Sequence, residues 1–284
     1  MILAALRAEW FKLVRRPAVW VTVGLLLVLA VGIGYLVTYL VATHPPNLSA
    51  RGESANFAAI RGGLHPASLV KKALSNANTL DGIFALILGV LAQGSEFSWG
   101  TIKTTQTQLP GRLAIVAGQL ISIALLLLIM VLGIFGADAL ASYLIALADG
   151  AATTFPSLQD VLRGIGAEWL IFGFVAGFGY ALATVFKQSA MAIGLGLGYL
   201  LVVESLVFSL LDNLGDTFKN VHELFPVANA GYLQQSFGRV PGVVGFVIGG
   251  RTAPDATHAV IALTVWTAAL LIAAASLIRA RDVL

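Results

Sequence analysis

Cysteine is absent from the 284-residue chain, so neither a disulfide framework nor a thiolate metal site can form, and the redox compartment is not legible. Charge is scarce: Asp, Glu, Lys and Arg make up 11% of the residues, against roughly a quarter in soluble domains. No lysine follows a glycine, so the G-x-x-x-x-G-K-[ST] loop that cradles nucleotide phosphates is missing. His44, His65, His222 and His258 are scattered over loops and one span edge without ligand spacing, which gives no support for a metal site. No Ser/His/Asp arrangement gathers on one membrane face, so no catalytic residue is assigned and the chain is not expected to be an enzyme. The net charge of +3 is small and gives no reason to invoke nucleic acid.

What is present is apolar. Hydrophobic residues reach 58% and the mean hydropathy is +0.90. Several runs match the roughly 20 residues that an α-helix needs to cross a bilayer. Because those runs are continuous and lack period-2 alternation, they read as helices rather than barrel strands. The chain is therefore expected to be an all-α integral membrane protein, a single transmembrane domain over residues 1–284 with six crossings. The spans are placed at about 18–42, 79–97, 113–137, 167–186, 190–211 and 257–278. Asp81 opens the second, whose strictly apolar part "GIFALILGVLA" is short. The third continues as helix through "ASYLIALA" to Ala148.

Six crossings put both termini on one side, and the distribution of Lys and Arg identifies it. Arg7, Lys12, Arg15, Arg16, Lys103, Arg112, Lys187, Arg279 and Arg281 cluster on short segments of one side, which is taken as the cytoplasm. The first outer loop, with Arg51, Arg61, Lys71 and Lys72, is basic for its side, and its end, "HPASLVKKALSNANTL", is expected as an outer interfacial helix. The second outer loop, 212–256, contains "VPGVVGFVIGG", too short to span and expected to re-enter the outer leaflet or pack on the bundle.

Before the first span, Leu3, Leu6, Trp10, Leu13 and Val14 project to one helical face and Lys12, Arg15 and Arg16 to the other. This pattern predicts an interfacial helix with its basic residues on lipid phosphates, against the alternative of a solvated stub. Between the second and third spans lies "GSEFSWGTIKTTQTQLPGR", polar and charged between two apolar runs. Ser95 can cap a helix, Gly100 permits a break, and Pro110 and Gly111 end a short helix over Thr101 to Gln108. Glu96 and Lys103 share a helical face, with Trp99 and Ile102 as apolar anchors for a partner; the other reading is a solvated turn.

Within the spans, ionisable groups are costly and each wants a reason. Glu204, in "YLLVVESLVF", is the deepest, and reads either as a group on an export path or dimer interface or as a hydrogen-bonded packing element. Asp138 and Glu168 lie nearer the outer ends of their spans, within reach of water. Gly173 with Gly177, and Gly194 with Gly198, carry G-x-x-x-G spacing, which serves packing inside the subunit or a dimer seam.

The pattern Glu96, Phe97, two residues, Gly100, Thr101, Ile102, Lys103, Thr104, followed by Pro110, Gly111 and Arg112, resembles the cytoplasmic loop of type-2 permeases of ATP-binding-cassette exporters. "LRAEWFKLVRRPAVWV" is similar to the start of their actinobacterial and lantibiotic-immunity-like members, and "LFPVANAGYL" to the stretch before their last span. The resemblance implies a bacterial plasma-membrane exporter subunit with a coupling helix in 98–112, contacted by two copies of a separate ATPase subunit and paired with a second permease copy or a homologue. It implies no cofactor in this chain, since ATP and Mg would sit in the partner. The expected cargo is hydrophobic or amphipathic, such as an antibiotic, a peptide or a lipid. The alternatives are an ion-gradient transporter titrating Glu204 and Asp138, for which no internal repeat is found, and a non-transporting scaffold or sensor.

Overall fold

The computed structural model describes residues 2–44, 57–75, 77, 80–98, 112–207, 221–238, 240 and 255–280. The described residues are mostly helical, with no strand among them. Helix α1 (Ile2–Val14) leads into α2 (Pro17–Thr43), whose middle, Gly32–Val37, widens into a π-turn. Then come α3 (Phe57–Gly62), a single 3-10 turn (Pro66–Ser68), α4 (Leu69–Ser75) and α5 (Leu80–Ser98). Helices α6 (Arg112–Asp149) and α7 (Leu158–Phe186) follow, and α8 (Ser189–Gly198) continues as a π-helical stretch, Tyr199–Val207. The chain closes with α9 (Pro226–Ser236) and α10 (Ala256–Ala280).

Among the described residues, four helices are long and apolar enough to cross a membrane: α2, α6, α7 and α10. Helices α4 and α5 form a bent pair, meeting at 53°, and α8 is a shorter apolar helix. The fourth span expected at 167–186 begins earlier, at Leu158, because Ser157 caps the helix by accepting from the Asp160 amide. At its far end Lys187 turns left-handed (φ 56°) and lets α8 start two residues later.

Helix α7 is the hub, in contact with α4, α5, α6, α8, α9 and α10. Its small residues explain the closeness of those contacts. A Cβ on Gly89 of α5 would fall 2.0 Å from the Ala176 carbonyl oxygen, and one on Gly179 would fall 2.6 Å from that of Leu86. Backbone-to-backbone approach of this kind is how apolar helices associate where no hydrophobic force separates them from lipid. Around α5 and α7 the core gathers Phe172, Phe174, Leu86, Leu88, Leu126, Leu127 and Met130, all fully buried. By contrast, Trp20, Val21, Leu25, Val28, Ile33 and Leu36 of α2, and Ile261, Val265 and Ile272 of α10, are exposed and present an apolar exterior suited to lipid.

Helix α1 lies along α6 and buries Ala5, Glu9 and Leu13, with Gly118 admitting the Ala5 backbone, while Leu3 is 72% exposed. Two expectations are corrected by the packing. The stretch before α5 is no surface helix: Leu69, Val70, Lys72, Ala73 and Leu74 are buried against α6 and α7. Asp138 and Glu168 are not water-accessible but 4% and 0% exposed.

Of the two G-x-x-x-G pairs, Gly177 faces Leu271 and Thr267 of α10. Gly173, Gly194 and Gly198 have no neighbour within 4 Å of a virtual Cβ. Of the re-entrant stretch expected at 240–250, Val240 is buried and 241–250 lie outside the described residues.

Candidate functional site

Proline at 17 makes the local geometry here. The residue before a proline is pushed out of the α region, and Arg16 adopts φ −79°, ψ 116°, which bends the chain between α1 and α2. Its guanidinium is thereby aimed at the end of α5. One nitrogen donates to the Leu91 carbonyl at 3.0 Å and to Ser95 Oγ, and the other to Glu96 Oε1 at 2.7 Å. Lys12 bonds Glu9 at 2.6 Å and reaches Glu96 at 3.6 Å. A cation over the last turn of a helix also meets the negative end of its dipole. Behind these groups Gln119 accepts from the Tyr180 hydroxyl at 2.9 Å. Burial raises the Glu9 carboxyl above the usual range, with the Lys12 ammonium opposing the rise.

This junction ties α1, α2 and α6 to the residue from which the polar segment departs. Glu96 is 2% exposed and turned inward toward Arg16, so its carboxylate is engaged inside the chain. Phe97 lies in α5, and the other expected contact residues, Trp99, Gly100, Thr101, Ile102, Lys103 and Thr104, fall outside the described residues. Of the expected interfacial residues, Trp10 is partly buried and Arg15 stacks its guanidinium 4.8 Å from the Phe11 ring centroid, while Lys12 and Arg16 belong to the junction.

A second polar cluster lies deeper. The π-turn in α2 delivers Tyr35 into the bundle, where the Lys72 ammonium stands 5.6 Å from its ring centroid. Asp81 of α5, Asp138 of α6 and Glu168 of α7 converge on the same region, close enough to act on one another and on Lys72 electrostatically. Every one of these five side chains is at most 4% exposed. Tyr35 Oη, Asp81 Oδ1, Asp138 Oδ1 and both oxygens of Glu168 lack a hydrogen-bond partner. Sequence reasoning singled out Asp138 and Glu168 but not Tyr35 or Lys72. The available signal was the apolar company of Lys72 in "SLVKKALS".

Of its two expected roles, Glu204 fits the hydrogen-bonded packing element. It accepts from the amides of Val227 at 2.6 Å and Ala228 at 2.9 Å, capping the N-terminus of the buried helix α9. Helix α9 is further fixed by Asn229 Nδ2, which donates to the Glu223 and Phe225 carbonyls, and by Gln234 Nε2, which donates to the Leu74 carbonyl at 2.8 Å.

At the end of α6, Asp149 accepts from Arg61 through Nε and Nη2 and from the Tyr39 hydroxyl at 3.1 Å, with His65 Nε2 at 2.9 Å. This latch joins α2, α3 and α6 at the pole opposite the Arg16 junction. Among the described residues no group of three His, Asp or Glu side chains has the arrangement that holds a metal ion.

No curated protein matches the chain. Residues 54–284, from just before α3 onward and covering Lys72, Asp81, Asp138 and Glu168, the α9 cap and the polar segment, match the family described as "Protein of unknown function (DUF2705)". That match takes in well over half of the chain, and the chain belongs to this family.

Proposed function

We propose that this chain is the membrane-spanning subunit of an ATP-binding-cassette exporter in a bacterial plasma membrane. It moves a hydrophobic or amphipathic compound and takes its energy from a separate ATPase. In this reading the bent pair α4–α5 and the shorter α8 join the four long helices to make six crossings, with both termini cytoplasmic. The segment 98–112 forms the coupling helix that two ATPase copies engage across a pair of permeases.

The observation that carries the reading is the Arg16 junction. The polar segment hangs from Glu96, and Glu96 is bonded to α1 and α2, so a push on the segment displaces the interfacial helix and the first span together. A solvated turn has no need of such an anchor. In this reading Glu96, turned inward toward Arg16, is the anchor, and Trp99, Ile102 and Lys103 make the partner contact. Co-purification tests the reading: a cassette ATPase should be retained by the detergent-solubilised chain, and its absence from a transport-competent preparation overturns the proposal.

The buried carboxyl cluster favours a second reading, an ion-gradient transporter. Vesicles separate the two. Uptake that needs ATP and persists after collapse of the proton gradient supports the exporter, whereas uptake driven by an imposed gradient without nucleotide supports the alternative.

A further inference from the structure

Lys72, Asp81, Asp138 and Glu168 come from four different helices and meet inside the bundle with Tyr35. Asp138 stands 11 residues from the end of α6 and Glu168 ten residues from the start of α7. At 1.5 Å per residue, both lie about 15 Å from the nearer helix ends. Three carboxyls face one ammonium, so full ionisation leaves an excess of two negative charges in a site closed to water. Buried charge without a counter-ion neutralises by taking up a proton.

Among the described residues Lys72 is the cation that acts on these carboxyls, whereas Glu204 is bonded to the α9 amides and Arg61 and His65 are held by Asp149. Nor do the three carboxyls converge as a metal ion requires. The Tyr35 hydroxyl, 98% buried by its 2% exposure, is an orphan within the same cluster, as are both oxygens of Glu168. Orphaned acceptors beside a carboxyl are satisfied when that carboxyl carries a proton to donate.

We infer that these five residues form a proton-binding site within the membrane, holding two protons at neutral pH and sharing the remaining negative charge with Lys72. Uptake of each proton converts one carboxylate to a neutral acid whose O–H donates to a neighbouring carboxyl or to Tyr35 Oη. The proton count follows the charge of the cluster, which makes it testable without a partner, nucleotide or cargo. The inference therefore stands or falls separately from the transport reading.

The test is infrared spectroscopy of the full chain in lipid nanodiscs at neutral pH, reading the C=O stretch of protonated carboxylic acids and its shift in deuterated water. Difference spectra among variants isolate this cluster from other acids. Asp138→Asn and Glu168→Gln, close in shape to the native residues, should each remove one of two bands. Lys72→Met should add a third, because the last carboxylate loses its counter-ion. Circular dichroism and elution volume establish that each variant is folded, and the two near-isosteric variants suffice if Lys72→Met does not fold. Unchanged protonated-acid absorption in both Asp138→Asn and Glu168→Gln overturns the inference, as does a folded Lys72→Met with the wild-type spectrum.

Discussion

Replacing Arg16 by Met removes the cation that holds α5 against α2. In the structure Glu96 then loses its 2.7 Å partner, while Lys12 stands at 3.6 Å and is already bonded to Glu9 at 2.6 Å, and Ser95 and the Leu91 carbonyl lose a donor. Breaking a fully buried pair by deleting one partner costs about 3–5 kcal/mol. Here the Arg16 side chain retains 12% exposure and Lys12 compensates in part, so we expect about 2–3 kcal/mol. Glu96→Gln alone should cost about 1–2 kcal/mol, since its amide still accepts from one neighbour. The double variant, with no charge left unmatched between the two positions, should be less destabilised than the sum by about 1–2 kcal/mol. Unfolding free energy in mixed micelles, measured for all four proteins, gives this coupling. Additivity within about 0.5 kcal/mol would mean that the two side chains do not act as a unit, and the anchoring argument would fail.

Other expectations follow from the packing. Gly89→Ala places a methyl 2.0 Å from the Ala176 carbonyl oxygen, so α5 and α7 must separate; a loss of about 2–3 kcal/mol is expected despite the better helix propensity of Ala, and neutral stability would contradict the close contact. Glu204→Gln keeps an acceptor for the Val227 and Ala228 amides and should retain fold and transport, whereas Glu204→Leu should lose about 2 kcal/mol; equal transport loss in both would assign Glu204 to cargo or protons instead. Because the folded pKa of Glu9 is raised, its protonation favours the folded state: that contribution is complete below the ordinary glutamate value and disappears as pH rises through the folded value. Wild type should thus gain stability relative to Glu9→Gln as pH falls from neutral into the acid range, and a pH-independent difference would refute the burial argument.

Much of the architecture was readable from composition. Long apolar runs in water have no alternative to burial or bilayer, and α2, α6, α7 and α10 emerged near their expected positions. The continuation of α6 to Asp149 was likewise visible, since Asp138 interrupts hydropathy without interrupting helix propensity. What the sequence concealed depends on tertiary geometry. A π-turn rotates side chains off the regular 3.6-residue period, so Tyr35 could not be placed inside by projection. Projection of α1 gave no sign that Glu9 would be buried, since it is drawn in by its pairing with Lys12. Glu96 looked like a surface residue because its partner, Arg16, is 80 positions away in the chain. Glu204 was recognised as costly, but its hydrogen-bond donors, the amides of α9, carry no side-chain signature.

The central claim is that the polar segment after α5 transmits force from a nucleotide-hydrolysing partner. The decisive measurement is cargo-stimulated ATPase activity of the purified complex with Trp99→Ala, Ile102→Ala and Lys103→Ala combined, leaving the Glu96 anchor intact. The account predicts that the ATPase subunits lose stimulation by cargo, or no longer co-purify, while the membrane chain keeps its fold. Full stimulation in the triple variant would contradict it.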